Sequence, residues 1–279
     1  MEQSNIPQLL REIPDPPQQL YIRGTFPNEH DYKFLTVIGS RKFSTYGKQV
    51  CEHLIRGLAG YPIIIVSGLA LGIDSIAHQT ALDNHLTTIA VPGSGLDDSV
   101  LYPASNRGLA QSIIQAGGCL VSEYEPTFKA TNWSFPKRNR IMAGLSHAIL
   151  VIEAENISGT RITARLATDY NREVFAVPGS IFSPGSEGTN ELIREGATPV
   201  THAHDILDFF GFSKDTEAPL QELILSPEER AVMELLIAPM TRNNIAEQLG
   251  MSVIKLNILL SSMEIKGLIK EELGKMYRL

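Results

Sequence analysis

The sequence predicts an α/β protein: a Rossmann-like, doubly wound and mostly parallel sheet followed by a small C-terminal winged-helix domain. Three observations predict it. Short apolar runs alternate with helix-length amphipathic segments throughout residues 31–212. Such runs, buried on both faces and separated by helices, are the pattern of a parallel sheet with helices on both sides. Several runs end on glycine, as at Ile38-Gly39, Ser67-Gly68, Pro92-Gly93 and Pro178-Gly179. Finally, the alternation stops at the polar stretch 213–221, and three helical segments and a Gly274-centred hairpin follow.

Taken in order, residues 1–30 hold five prolines and read as an extended arm lying on the next domain, with Leu20, Tyr21 and Ile22 as an edge strand. Residues 34–38 form the first buried strand. A helix follows from about Ser44, with Val50, Leu54 and Leu58 on one face. Strand 63–66 leads to a helix starting near Gly72, and strand 87–91 follows. A helix at 104–116 leads to strand 119–122. Helix 137–145 leads to strand 147–152, and helix 159–170 to strand 174–177. A short helix at 188–195, strand 197–200 and helix 203–210 close the domain, which spans 31–212. Residues 213–221 are a linker. Residues 222–279 carry helices at 226–237, 241–249 and 252–266 and a hairpin at 268–279, with Thr241 as N-cap and Gly250 as C-cap of the middle helix.

Composition narrows the function. The chain has 279 residues and a net charge of -7, with 43% hydrophobic and 20% charged residues. That balance argues against a uniform positive coat, but a local basic groove remains compatible with it, because binding depends on where charge sits. Cys51 and Cys119 are the only cysteines, so no disulfide framework or zinc site is expected. The N-terminus has no apolar signal core, and no run approaches the roughly 20 apolar residues of a membrane span. A cytoplasmic protein without metal or cofactor is expected.

Right-handed crossovers place the strand C-termini on one edge, where ligands bind. Residues 32–51 contain Lys33, Arg41, Lys42 and Lys48 and no acid, a local charge of +4. Gly39-Ser40-Arg41-Lys42 stands where the first strand meets its helix, and backbone N–H groups at such a turn attract phosphate. Segment 129–172 holds seven Lys or Arg against three acids, again +4. Its densest part is Ser134-Phe135-Pro136-Lys137-Arg138-Asn139-Arg140. Alone, that run reads as a solvated basic turn; facing Arg41 across the strand edge, it reads as one wall of a groove. Ser158-Gly159-Thr160 adds backbone donors. Trp133, Phe135 and Tyr102 are available for base stacking, as in a single-strand binder, or for core packing.

Catalytic groupings are poor, and no catalytic residue is assigned. Asp74 and His78 share a helix face at i and i+4, which suits a structural pair better than an acid-oriented base. Asp97, Glu123, Glu125 and Glu153 lie near strand ends and motivate an alternative: a nucleotide-processing, phosphoribohydrolase-like enzyme, or a nucleotide sensor on the same fold. Gly93-Ser94-Gly95 lacks the third glycine of a dinucleotide fingerprint. Residues 221–279 carry seven cations against eight acids, too few for a strong duplex reader. A protein-contact or accessory DNA role is expected there.

Together these motifs resemble the DNA-processing protein A family (DprA, also called Smf). The resemblance runs through Gly39-Ser40-Arg41, Ser67-Gly68-Leu69-Ala70, Gly72-Ile73-Asp74, Ala77-His78, Pro92-Gly93, Tyr102-Pro103 and Asn106. It continues through Ser122-Glu123, Phe135-Pro136, Arg138-Asn139-Arg140-Ile141, Ser158-Gly159-Thr160, Thr163-Ala164-Arg165, Val177-Pro178-Gly179-Ser180 and Gly188-Thr189-Asn190. Many members carry an N-terminal helical domain that this sequence is expected to lack. The resemblance implies a binding protein, not an enzyme. It implies single-stranded DNA as ligand, the RecA recombinase as partner, protection of incoming strands in natural transformation, and a homodimer. The implied groove uses Ser40, Arg41, Arg138 and Arg140, with Phe135 near a base. Lys137 joins on charge grounds. Gly39, Asn139, Ser158, Gly159 and Arg161 complete the candidate set. By position, the implied dimer surface includes Leu192, Ile193 and Leu207.

Overall fold

A computed structural model describes residues 2–3, 6–156, 158–212, 226–236, 240–265, 268–272 and 274–278. The expected linker, 213–221, lies outside the described residues. The chain divides into two compact units, Met1–Ala218 and Pro219–Leu279.

In the first unit, β1 (Glu2–Gln3), β2 (Tyr21–Gly24), β3 (Lys33–Ile38), β4 (Ile63–Ser67), β5 (Thr88–Ala90), β6 (Cys119–Ser122), β7 (Ala148–Val151), β8 (Glu173–Ala176) and β9 (Thr198–Pro199) form one sheet. Their order is β1-β2-β6-β5-β4-β3-β7-β8-β9. Every pairing from β6 across to β9 is parallel. The helices are α1 (Gln8–Arg11), α2 (Thr45–Arg56), α3 (Ile73–Asp83), α4 (Arg107–Gln115), α5 (Ser134–Leu145), α6 (Gly159–Asp169), α7 (Pro184–Arg194) and α8 (Ala203–Phe209).

Period-two alternation explains the two layers. Phe34, Ile38, Ile64, Val66, Ile149 and Val151 point to one face, onto Leu10, Ile141, Leu145 and Ala164. Leu35, Val37, Ile63, Ile65 and Leu150 point to the other, onto Cys51, Leu54, Ile73, Ala77 and Leu207. Each fully buried Leu or Ile contributes about 1.5–3 kcal/mol, so apolar runs with both faces covered become the centre of the sheet. β3 is followed in space by β4, β5 and β6 on one side. The chain then returns through α5 to lay β7 on the other side, pairing Leu35 to Ala148 and Ile38 to Val151. The β3–β7 pair is therefore the switch point, and a crevice opens beyond its carboxyl ends.

Three elements differ from the expectation. The N-terminal segment, expected as an extended arm on the domain with a strand at residues 20–22, forms that strand at Tyr21–Gly24 but is built more deeply into the core. Leu10, Ile13 and Leu20 are buried in the core, α1 packs on α5, and β2 pairs antiparallel with β6. Its prolines punctuate the segment, while its apolar residues give it a buried face. Helix α5 begins at Ser134, three residues earlier than expected, so the basic run is helical and not a turn. Pro136 is tolerated because it lies in the first helical turn, where its missing N–H has no intrahelical partner. Helix α7 likewise begins earlier, with Pro184 at its first position.

The second unit contains α9 (Pro227–Leu235), α10 (Arg242–Leu249), α11 (Val253–Ile265) and an antiparallel hairpin of β10 (Ile269–Glu272) and β11 (Lys275–Arg278). Ser226 and Glu229 form a capping box at α9. Thr241 accepts from the Asn244 N–H, and Gly250 ends α10 with φ 60°. Val232, Ile245, Leu256, Leu260, Met263 and Met276 make its core.

Candidate functional site

A pocket of about 580 Å³ opens at the carboxyl edge of the sheet, beside the switch point. Its floor and walls come from the loop after β3, the loop after β4, the first turns of α5 and the start of α6. It brings together eight residues anticipated from the sequence: Gly39, Ser40, Arg41, Phe135, Arg138, Asn139, Ser158 and Gly159. Lys42, Tyr102 and Asn132 also line it. Lys42 was legible in the +4 edge and Tyr102 as an available aromatic. Asn132 carried no sequence signal.

Local chemistry shapes each wall. The Ser40 hydroxyl donates to the Lys42 carbonyl at 2.9 Å and accepts from the Lys42 N–H at 3.0 Å, closing the β3 loop on itself. The Ile73 N–H donates to the Ser40 carbonyl, tying that loop to α3. Gly72 makes this approach possible: its φ is +85°, and a Cβ there would collide with the Ser40 carbonyl. Leu69 holds a positive φ of 59° without being glycine. The buried Asn106 amide, donating to the Leu69 carbonyl at 2.9 Å, pins that strained backbone.

Arg41 is exposed, and its guanidinium carbon lies 5.5 Å from the centroid of the Phe135 ring. Phe135 in turn packs on Tyr102 at 5.7 Å. The result is a cation–aromatic stack along the pocket wall, of the kind that accepts a base on its face and a phosphate at its edge. The N-terminus of α6 lines the same pocket. Ser158 makes no side-chain cap bond, and its hydroxyl oxygen is buried with no hydrogen-bond partner among the described residues. The first-turn N–H groups of α6 and its dipole favour an anion here.

Arg138 plays a different part. It is 4% exposed and donates to the carbonyls of Gly68, at 2.6 Å, and Val91. It thus clamps the ends of β4 and β5 together. Burial lowers its pKa to about 10, opposed by the nearby Asp74 carboxylate, so it stays charged at neutral pH. Burial raises the Asp74 pKa, and Arg138 opposes that rise. Gly68 leaves the space both groups occupy. Asn139 accepts from the Arg138 Nε at 3.3 Å and donates to the Gly159 carbonyl at 3.4 Å, linking α5 to α6.

Three anticipated residues lie outside the pocket. Arg140, 7% exposed, pairs with Glu123 and with Asp15 of the N-terminal segment at 3.3 Å. Lys137 sits 3.7 Å from Glu123 and 6.0 Å over the Tyr124 ring. Arg161 is held by Asn156 and by Glu195 at 2.8 Å, on a second groove along α6 and α7 that shares Ser158 and Gly159 with the pocket. Leu192 floors that groove, and Ile193 packs partly buried against the core. Leu207 is buried among the residues beneath α2, so it is removed from the surface assigned by position. Asp74 and His78 do not pair. The His78 Nδ1 meets the Thr88 hydroxyl at 2.7 Å, and burial lowers its pKa to about 3. Each of the four acids near strand ends has a partner of its own, and among the described residues no acidic cluster suited to a metal forms. Asp97 accepts from the Ser99 N–H, Glu123 takes Arg140 and Lys137, Glu125 accepts from the Tyr21 hydroxyl, and Glu153 accepts from Ser44. None of the four lines the pocket.

A cation–aromatic stack and an uncapped helix N-terminus thus line one pocket at the switch point of an open parallel sheet, the edge at which such folds bind ligands. Sequence comparison gives the family. The profile of the family described as DNA recombination-mediator protein A matches residues 1–211, and the chain belongs to that family. It is 41% identical over 228 residues to Protein Smf of Escherichia coli, covering 81% of this chain and 60% of that protein. It is 44% identical over 205 residues to DNA processing protein DprA of Streptococcus pneumoniae, covering 73% and 70%. The crystal structure of the pneumococcal protein superposes with a TM-score of 0.67, covering 72% of this chain and 70% of that one. A structure describing the single-stranded DNA binding mode of DNA processing protein A from Helicobacter pylori superposes with a TM-score of 0.68 at 34% identity, covering 75% and 94%. No helix among the described residues is long and apolar enough to cross a membrane.

Proposed function

We propose that the chain is a single-stranded DNA-binding recombination mediator without catalytic activity of its own. In this reading it protects incoming strands in the cytoplasm and helps load the RecA recombinase during natural transformation. The observation that carries the reading is the pocket lined by both the Arg41–Phe135–Tyr102 stack and the uncapped start of α6. Phosphates take Arg41, Lys42 and the α6 N–H groups, and a base takes the Phe135 ring. The relationship to the H. pylori protein supports this assignment. The protein acts as a homodimer through the α7 side of the first unit, around Leu192 and Ile193. The second unit is a winged helix serving protein contact or accessory DNA binding. Its Arg242 and Lys255 are committed to Glu271 and Glu228, both at 2.6 Å, which supports a role other than strong duplex reading.

Titration of labelled oligothymidine at several salt concentrations, with light scattering for stoichiometry, tests the assignment. Arg41→Glu weakens binding about uniformly over sequence and reduces the log–log salt slope by roughly 0.7 for the lost phosphate contact. Wild-type affinity in that variant would exclude the pocket as the DNA site.

A further inference from the structure

Trp133, the single tryptophan of the chain, is left over by the pocket: it occupies the N-cap position of α5 yet is not among the pocket-lining residues. It is 56% exposed, an unusual state for the largest apolar side chain in a well-packed unit. Its ring is nonetheless fixed in place. It meets Phe128 at 5.7 Å and Tyr124 at 5.9 Å, both edge-on, and those two rings stack on each other at 4.4 Å. An aromatic that is exposed but already held loses little freedom when a second ring lies against it.

The surroundings indicate what that second ring belongs to. Asn132 and Pro136, on either side of Trp133 in the chain, line the pocket, so the tryptophan stands at its rim. Lys129 is exposed three residues after Pro126. Lys137, one helical turn beyond Trp133, is partly exposed over Tyr124. An exposed ring with Lys137 over the adjoining Tyr124, next in the chain to pocket-lining residues, is complementary to a stacked base with a neighbouring phosphate. On the proposed function given above, we infer that Trp133 is a second base-stacking station. The single-stranded DNA leaves the Phe135 pocket over Asn132 and Pro136 and lays its next exposed base on the Trp133 ring. Lys137, outside the pocket, thereby acquires a position beside the strand and not within it.

Because Trp133 is the only tryptophan, its emission reports on this one site. Wild-type protein is titrated with an oligothymidine of about four nucleotides and one of about sixteen, following anisotropy and tryptophan emission together. The short strand fills the pocket without changing emission; the long strand quenches it. Trp133→Ala loses about tenfold or more in affinity for the long strand, as expected of one stacked base, and little for the short one, while Trp133→Phe keeps most of the affinity. Abasic nucleotides in the flanking half of the long strand abolish the quench in wild-type protein and lower its affinity to that of Trp133→Ala. This last arm needs no variant, so altered packing of Phe128 and Tyr124 does not enter it. Tight binding of the long strand with unmoved emission and no abasic effect overturns the station and leaves the pocket assignment standing. Binding of neither strand overturns both.

Discussion

Arg41 and Lys42, on the β3 side of the pocket, stand in solvent, whereas Arg138 and Arg140, on the α5 side, are almost wholly buried. Both sides are basic in sequence, yet they use the charge differently. A loop closed on its own hydroxyl presents its side chains outward. A helix turns about 100° per residue, so Lys137, Arg138 and Arg140 diverge: one to the rim, one into the strand ends, one to Glu123 and Asp15. Of the three cations that the sequence packs most densely, Arg138 and Arg140 are therefore the least available to a ligand, and Lys137 alone stays exposed. A buried arginine whose donors are taken by two backbone carbonyls and the Asn139 amide oxygen holds the pocket's shape, and the exposed arginine is the one proposed to meet the ligand.

Substitutions on the two sides separate these roles. The largest effect is expected at Arg138→Met. Removing the cation leaves Asp74 buried without its compensating charge and releases the Gly68 and Val91 carbonyls, a loss of about 3–5 kcal/mol, measured by urea unfolding. DNA affinity of the folded fraction should fall far less than in Arg41→Glu; the reverse ranking would erase the distinction between the two arginines. Arg140→Met comes next, at about 1–3 kcal/mol, because Glu123 keeps Lys137 as a partner. Arg41→Glu should leave stability within about 0.5 kcal/mol of wild type while weakening oligothymidine binding.

At neutral pH the smallest effect comes from the buried histidines, and it grows on acidification. His78 and His147 remain neutral in the folded chain until about pH 3 and about pH 4, because burial disfavours their charged forms. In the unfolded chain both protonate near pH 6.5. Between those values the unfolded state binds more protons, so stability rises with pH and falls as the medium is acidified below about 6.5. Asp74 works in the opposite sense, since its raised pKa lets the folded state take up a proton first. His78→Gln should flatten the acid limb of the stability curve, measured by thermal melting across that range. An unchanged limb would place the acid sensitivity outside the buried network.

The alternation of apolar runs with amphipathic segments was enough to read β3 to β8 and their helices, because strands covered on both faces leave few polar positions to blur the pattern. Ser122 and Cys119 bound β6 as the sequence suggested. The N-terminal segment was harder. Its prolines dominate the local signal, while Leu10, Ile13 and Leu20 find their partners on α5 and the sheet edge, far along the chain. In the pocket, Ser40, Arg41, Phe135, Ser158 and Gly159 were legible because each sits at a strand end or helix start, where topology fixes the edge it faces. Arg140, Lys137 and Arg161 were not, because ion pairs with Glu123 and Glu195 decide where they point. Such pairings depend on helix phase and distant acids, which a basic run does not reveal.

Glu153 shows how the chain selects one of its two switch-point helices for outside use. Its buried carboxylate accepts from the Ser44 N–H at 2.9 Å and from the Ser44 hydroxyl, and it lies against Gly47 in the first turn of α2. The positive end of α2 thus already has a resident counter-ion supplied by the protein itself, in the position a phosphate would take. The start of α6 has no such occupant among the described residues. A phosphate group reaching this edge would therefore find one helix start open and the other already filled by the protein's own carboxylate.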